Sequence, residues 1–156
     1  MMQSPAIVQV PADVRPIKRA MALFTEGNVL SGRQGNLFLF PDRIAHVSAR
    51  GAAAAFGLLG LMVSRSRAER RARGAGHGVT TLMLRDVIAV RAARYGLRGG
   101  MLDVDTRAGG HYRVGVKYEQ WRDALRQAFA SQGITVDDTA DGLQVAGAPP
   151  SSAPPA

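Results

Sequence analysis

The stretch "MLDVDTRAGGHYRVGV", residues 101–116, has the pattern of two β-strands joined by a glycine-containing turn. Apolar side chains alternate with two aspartates in the first half, and with one arginine in the second half. Such alternation is typical of strands that have one apolar and one polar face. The stretch therefore predicts an antiparallel hairpin whose apolar side contributes to the core of a β-sheet.

The two faces of this hairpin also predict its register. We expect Val104 to lie opposite Val114, because the apolar faces of both strands then coincide. This register leaves residues 108–110 as a three-residue loop, with glycine available for a left-handed position. It places Asp105 opposite Arg113 on the solvent face, where such a pair stabilises a sheet by about a few tenths of a kcal/mol.

Further strands are predicted on the N-terminal side of the hairpin. A turn dipeptide, Pro41-Asp42, joins two of them. The segments are a weak strand at 28–32 and stronger ones at 35–40, 43–49, 79–84 and 87–93. Together with the hairpin they make seven strands. On the C-terminal side, "ITVDDTADGLQV" predicts either a short extra hairpin or a frayed end.

One amphipathic helix follows the hairpin. Its apolar residues recur at spacings of three and four, which is the period of a helix with one buried face. They are Tyr118, Trp121, Leu125, Ala128 and Phe129. Strands followed by one helix predict a mainly β fold with α, a small curved sheet or open barrel closed by this helix.

The composition indicates a single domain. The chain has 156 residues, of which 46% are apolar and 21% are charged, and this suffices for one domain with its own core. Both ends are rich in proline, which is typical of tails. We therefore predict a disordered tail over 1–16, a folded domain over 17–145 and a Pro-rich disordered tail over 146–156.

The residue types exclude several functions and argue against others. Cysteine is absent, which excludes disulfides, thiolate metal sites and cysteine nucleophiles. His46, His77 and His111 are dispersed without the spacing of metal ligands. The acidic run 137–142 resembles the start of a calcium loop, but Ala148 occupies the position of the required glutamate. We predict no enzymatic activity, no cofactor and no metal.

An insertion at 51–78 interrupts the strands. Twelve apolar or glycine residues at 52–63 precede five arginines at 65–73. A bilayer-spanning helix needs about 20 apolar residues, whereas this run has twelve and would be about 18 Å long as a helix. The run is therefore too short to span a bilayer alone. The net charge of the chain is +8, and residues 50–77 hold six arginines and one glutamate. The basic excess is therefore local and marks a contact with something anionic.

The insertion is the candidate functional segment. We expect no spare apolar face of the barrel to cover its apolar end, so this end favours insertion into a membrane interface while the basic end meets headgroups. The predicted membrane-inserting residues are Phe56, Leu58, Leu59, Leu61 and Met62. The predicted headgroup contacts are Arg65, Arg67, Arg70, Arg71 and Arg73.

Two alternatives for the insertion remain open. In the first, the insertion packs against protein, either its own barrel, a partner protein or a second copy of the chain. In the second, the insertion binds nucleic acid non-specifically. Nucleic acid ranks lowest, because the basic tract contains no aromatic residue for base stacking.

The N-terminus has no basic leader followed by a long apolar region, so we predict no secretory signal. The prediction is a cytoplasmic location, with peripheral association at the inner face of the membrane as the more specific form.

Several motifs between about residues 20 and 130 resemble the GRAM/pleckstrin-homology-like superfamily, as it occurs in small bacterial proteins. They are "GNLFLFPDRI", "LRDVIAV", "LDVDTRAGGHYRV" and the tryptophan-bearing helix "EQWRDALRQAF". The resemblance implies a seven-stranded barrel capped by one helix, used as a lipid-headgroup or protein-binding module and not as an enzyme. The basic cluster that phosphoinositide-binding members carry between their first two strands is represented only by Arg33.

Overall fold

The computed structural model describes residues 7–27, 32–49, 57–95 and 98–148, but not the side chains of 57–64, 94–95 and 98–99. Among the described residues, nine antiparallel strands form one sheet. The strands are β1 (Lys18–Glu26), β2 (Arg33–Leu39), β3 (Arg43–Ser48), β4 (Val79–Met83), β5 (Val87–Tyr95), β6 (Arg98–Thr106), β7 (His111–Val114), β8 (Val136–Asp138) and β9 (Gly142–Val145). The helices are α1 (Gly57–Ala72) and α2 (Tyr118–Ser131), and a 3-10 turn spans Leu84–Asp86. The predicted mainly β class with α is confirmed.

The strand order is β4-β3-β2-β1-β7-β6-β5-β9-β8. Strand β1 lies in the interior of the sheet, because it pairs with β2 on one side and with β7 on the other. The short hairpin of β8 and β9 extends the sheet beyond β5. Of the two alternatives for the C-terminal segment, the structure therefore has the hairpin.

The position of the first strand differs from the prediction. A weak strand was expected near 28–32, whereas β1 runs over Lys18–Glu26 and residues 28–31 lie outside the described part. Ala22 and Phe24 are buried while Met21 is exposed, so β1 does alternate between a core face and an outer face.

The register predicted for the hairpin of β6 and β7 is wrong by two residues. Val104 lies opposite Tyr112, and Val114 lies opposite Leu102. A shift of two residues keeps every side chain on its original face. Alternation therefore predicts the faces of this hairpin correctly but does not select the pairing.

The turn explains the register that the hairpin adopts. The Thr106 amide donates to the Gly110 carbonyl at 3.0 Å, so the three-residue loop is 107–109 instead of 108–110. Gly109 has φ of 82°, which is the left-handed conformation that glycine adopts without a steric penalty. Gly109, as the last loop residue, fixes the hairpin.

The larger core lies on the inner face of the sheet, under α2. The five predicted residues of the apolar stripe of α2 are all buried. They pack in one cluster with side chains from all nine strands. Predicting the buried face of this helix from its spacing was correct.

A second, smaller core lies on the outer face of β2 and β3. Phe38, Phe40, Ala45 and Val47 are buried there. Because the inner residues of the same strands belong to the larger core, β2 and β3 are covered on both faces. The N-terminal segment contributes Val10 to the second core, with 4% of its surface exposed. The expectation of a tail over 1–16 therefore does not describe the segment from Val10 onward, which packs on the domain although it forms no helix or strand.

Candidate functional site

Helix α1 covers the second core with its C-terminal half. Ala68 and Ala72 are buried against the aromatic and aliphatic side chains of β2 and β3. The two alanines are four residues apart, so they lie on one side of the helix, and their small side chains allow a close approach to the sheet. The basic half of the insertion is therefore packed on the sheet, whereas the expectation that no apolar face covers its apolar end stays a prediction.

This half of α1 also carries four arginines. All four are exposed, and they are Arg65, Arg67, Arg70 and Arg71. The guanidinium of Arg71 donates to the carbonyl of His77 in the turn after the helix. Helical spacing places Arg67, Arg70 and Arg71 on sides away from the two alanines, whereas Arg65, three positions before Ala68, lies on the alanine side. The structure therefore has all four predicted site residues on the docked helix, and three of them point away from the sheet.

Arg73 has a different environment from the other four. Arg73 is only 8% exposed, and its Nη1 donates to the carbonyls of Pro11 and Val14, both at 2.6 Å. Its Nη2 donates to the Glu69 carboxylate at 3.0 Å, and its guanidinium lies 5.4 Å from the ring centre of Phe40. The guanidinium is used inside the domain, so we leave Arg73 out of the basic surface.

The apolar half of the insertion is described only in its backbone. Phe56 lies outside the described residues, and α1 includes Leu58, Leu59, Leu61 and Met62 without a description of their side chains. Their membrane-inserting role stays a prediction. No helix in the described ranges is long and apolar enough to cross a membrane.

A network of charges lies on the outer face of β5, β6 and β7. Asp105 accepts from His111 Nδ1 and from Arg91 Nη2, both at 2.6 Å. Asp103 lies opposite Arg113, with 3.2 Å between a carboxylate oxygen and the guanidinium Nε. The predicted pairing of Asp105 with Arg113 is therefore wrong, since the two-residue shift moves each aspartate to a new partner. Both aspartates are buried, and the guanidinium groups of Arg91 and Arg113 compensate their charges, so the network has a structural role.

A polar cleft of about 330 Å³ opens on the inner face of the sheet, where β1 ends and β2 and β4 begin. It is lined by Phe24, Glu26, Arg33, His46, Ser48, Gly78 and Thr80. The His46 ring stacks on Phe24 at 5.0 Å between ring centres. Its Nε2 donates to the backbone carbonyl of Ala22 at 3.2 Å. The cleft thus presents a guanidinium, hydroxyl groups and an imidazole for hydrogen bonding.

Burial sets the charge state of His46. The residue is 2% exposed, and desolvation lowers its pKa below the usual value of 6.5, against an opposing effect of its hydrogen bond to Ala22 and with a small additional lowering by Arg33. In the folded protein the imidazole is therefore neutral at pH 7. With Nε2 carrying the proton, Nδ1 is the acceptor of the ring.

This burial predicts a dependence of stability on pH. The unfolded chain binds a proton at His46 more readily than the folded chain, so the free energy of unfolding falls as the pH is lowered from 6.5 towards the lower folded pKa. Denaturant unfolding of the wild type and of His46→Gln, followed from about pH 7.5 to about pH 5, measures this contribution as the difference between the two curves. Parallel curves would contradict the burial of a neutral imidazole, because the other histidines are common to both proteins.

Comparisons with known proteins concern the fold alone. No family model matches the chain, and no curated protein matches it. Among solved structures, the chain is similar to the crystal structure of the C-terminal domain of an unknown protein from Leishmania infantum, with a TM-score of 0.50 and 10% sequence identity. The match covers 76% of this chain and 87% of that chain.

In the described residues, no group of three or more His, Cys, Asp or Glu side chains is arranged to hold a metal ion.

Proposed function

We propose that this protein is a non-enzymatic binding module that associates peripherally with anionic membrane surfaces through α1 and the apolar residues before it. One observation carries the proposal. The C-terminal half of α1 is docked on the sheet by Ala68 and Ala72, while its remaining sides carry the exposed Arg67, Arg70 and Arg71. A fixed helix half with a basic outer side is suited to an extended anionic surface, and the twelve apolar or glycine residues at 52–63 precede this half in sequence.

The surrounding charges favour the same partner. Glu69 is the only acidic residue between positions 50 and 77. It is paired with Arg73 at 3.0 Å and with Arg19 at 3.6 Å, so its charge is compensated within the domain. Each arginine near an anionic membrane contributes about 1 kcal/mol of attraction. We place the protein in the cytoplasm at the inner face of the membrane, because that leaflet supplies anionic lipids.

The architecture supports the resemblance to the GRAM/pleckstrin-homology-like superfamily. Seven strands, β1 to β7, precede α2 in the chain, and α2 packs across the inner core. The resemblance implies seven strands capped by one helix, and this order of elements along the chain supports it. We propose membership of that superfamily on this ground, and with it a role in binding rather than catalysis.

A second candidate function is self-association or binding of a protein partner through the apolar half of the insertion. The docking of Ala68 and Ala72 favours it, because it establishes that one part of the insertion is stabilised by contact with protein. In this version the apolar residues at 52–63 meet a second protein surface instead of lipid.

Sedimentation with liposomes separates these functions. We expect the protein to pellet with anionic vesicles more than with neutral vesicles, and to lose this preference as salt rises from about 0.05 M to about 0.5 M. Analytical ultracentrifugation without lipid provides the comparison for the second candidate. Absence of binding to either kind of vesicle, together with a stable dimer, would overturn the membrane proposal. Salt-sensitive binding to DNA of unrelated sequences, without vesicle binding, would instead favour nucleic acid.

A further inference from the structure

We propose that the segment 10–14, called the strap here, holds α1 on the sheet. Arg73 is the positioning residue that joins the strap to the helix. The inference rests on the proposed membrane function, since it concerns how the basic side of α1 is presented. It assigns to Arg73 a role different from that of the other four arginines, although all five belong to the same basic tract.

The contacts of Arg73 join three parts of the chain. Its Nη1 donates to Pro11 and Val14 in the strap, while its Nη2 donates to Glu69 one turn back in α1. Its guanidinium also lies over the ring of Phe40, beside the end of β2. A planar guanidinium makes several directed hydrogen bonds at once, which a lysine ammonium on a flexible stem does not reproduce.

The strap is bound in the opposite direction as well. The amide of Val10 donates to the carbonyl of Arg73 at 2.7 Å. The side chain of Val10 is buried in the second core, which also includes Ala68 and Ala72. Arg73 therefore uses both its main chain and its side chain on the strap, and the strap closes over the end of α1.

The remaining attachment of this half of α1 is weak without the strap. Its buried apolar side chains are the two alanines Ala68 and Ala72, and an alanine methyl group removes little apolar area from water. Among the described residues, loss of the Arg73 contacts also leaves Glu69 with one ion pair, to Arg19, whose side chain is 57% exposed. We therefore expect α1 to lose its fixed position on the sheet when Arg73 is replaced.

A matched pair of variants tests this inference. Arg73→Gln and Arg67→Gln each remove one positive charge from the same tract, but Arg67 is exposed. We expect Arg67→Gln to weaken binding to anionic vesicles by about fivefold, as for one charge at the membrane surface, and Arg73→Gln to weaken it by more than tenfold. We also expect hydrogen exchange of the amides of residues 65–72 to accelerate in Arg73→Gln alone, with exchange in β5 to β7 unchanged.

Further variants keep the outcomes distinct. Arg73→Lys retains the charge and should behave like Arg73→Gln, whereas rescue by lysine would show that charge alone matters and overturn the inference. If Arg73→Gln fails to fold, Val10→Ser decides, because it weakens the strap without altering the basic tract and should accelerate exchange in α1 in the same way. Normal exchange of α1 in both Arg73→Gln and Val10→Ser would refute the strap. If wild-type protein binds no vesicles, the proposed function fails, while the exchange measurements still test the strap by themselves.

Discussion

Replacing Trp121 with alanine is expected to lower the free energy of unfolding by about 3–5 kcal/mol. Trp121 is 2% exposed and belongs to the buried face of α2 together with Leu125 and Phe129. Alanine would leave a cavity between the helix and the sheet, and the neighbouring side chains would fill it only in part. The ammonium of Lys18, which lies 5.9 Å from the centre of the indole ring, would also lose its aromatic neighbour.

Denaturant unfolding, monitored by far-UV circular dichroism, measures this loss. Gln127→Ala is the matched control, because Gln127 is exposed on the same helix and alanine is a good helix former. We expect the control to remain within about 0.5 kcal/mol of the wild type. Equal stabilities of the two variants would mean that α2 does not close the core.

The helix α2 was predictable because its signal is local. The spacing of its apolar residues, from Tyr118 to Phe129, determines which side is buried whatever the helix packs against. The five residues expected on that side are the five that are buried. A periodic pattern over 14 residues thus predicts the buried face of a helix without knowledge of what the helix packs against.

The register of the hairpin was not predictable from the same kind of pattern. Pairing Val104 with Tyr112 or with Val114 leaves the same side chains facing the core, because the period of a strand is two. The choice depends on the left-handed Gly109 and on the closure of the turn from Thr106 to Gly110. Two adjacent glycines offered two positions for the turn, and apolar alternation did not distinguish them.

The docking of α1 has a signal in the sequence that concerns β2 rather than α1. Residues 37–40, "LFLF", are consecutively apolar, whereas a strand covered on one face alternates. Their burial on both sides of the sheet requires a second layer, which α1 and the strap provide. An unbroken apolar run in a strand of an antiparallel sheet is therefore itself an indication of an outer cover.

The environment of Arg73 could not be predicted from its neighbours in sequence. Within the tract it differs in no obvious way from Arg70 or Arg71, and two of its partners are the carbonyls of Pro11 and Val14, which lie 62 and 59 positions away. Main-chain carbonyls carry no residue-specific signal. Only the path of the strap over the end of α1 identifies which arginine is internal.

The charges and the apolar residues of the insertion are expected to contribute separately to membrane binding. Replacing the four arginines outside the strap contact, Arg65, Arg67, Arg70 and Arg71, with glutamine should weaken binding to anionic vesicles by two to three orders of magnitude, roughly 1 kcal/mol for each charge. Binding to neutral vesicles should change little. Replacing Leu58, Leu59, Leu61 and Met62 with serine should instead weaken binding to both kinds of vesicle, because it removes the apolar contribution.

A control variant tests whether position matters as well as charge. Arg85 and Arg107 are exposed outside the insertion, and replacing both with glutamine removes two positive charges from another part of the surface. We expect this double variant to retain most of the anionic preference, whereas Arg65→Gln with Arg67→Gln should lose about 2 kcal/mol of it. Equal losses in the two double variants would indicate attraction by net charge alone, without an oriented basic surface.

Stability measurements decide what the apolar half of the insertion contacts. The double variant of Arg65 and Arg67 should unfold within about 1 kcal/mol of the wild type, because both residues are exposed. If the residues from Leu58 to Met62 contact lipid, the serine variant should do the same in the absence of vesicles, since no core loses volume. A loss of several kcal/mol in the serine variant, with no vesicle binding by the wild type, would mean that these side chains are buried against protein. The membrane proposal would then give way to self-association, because only a protein surface stabilises apolar residues in water without lipid.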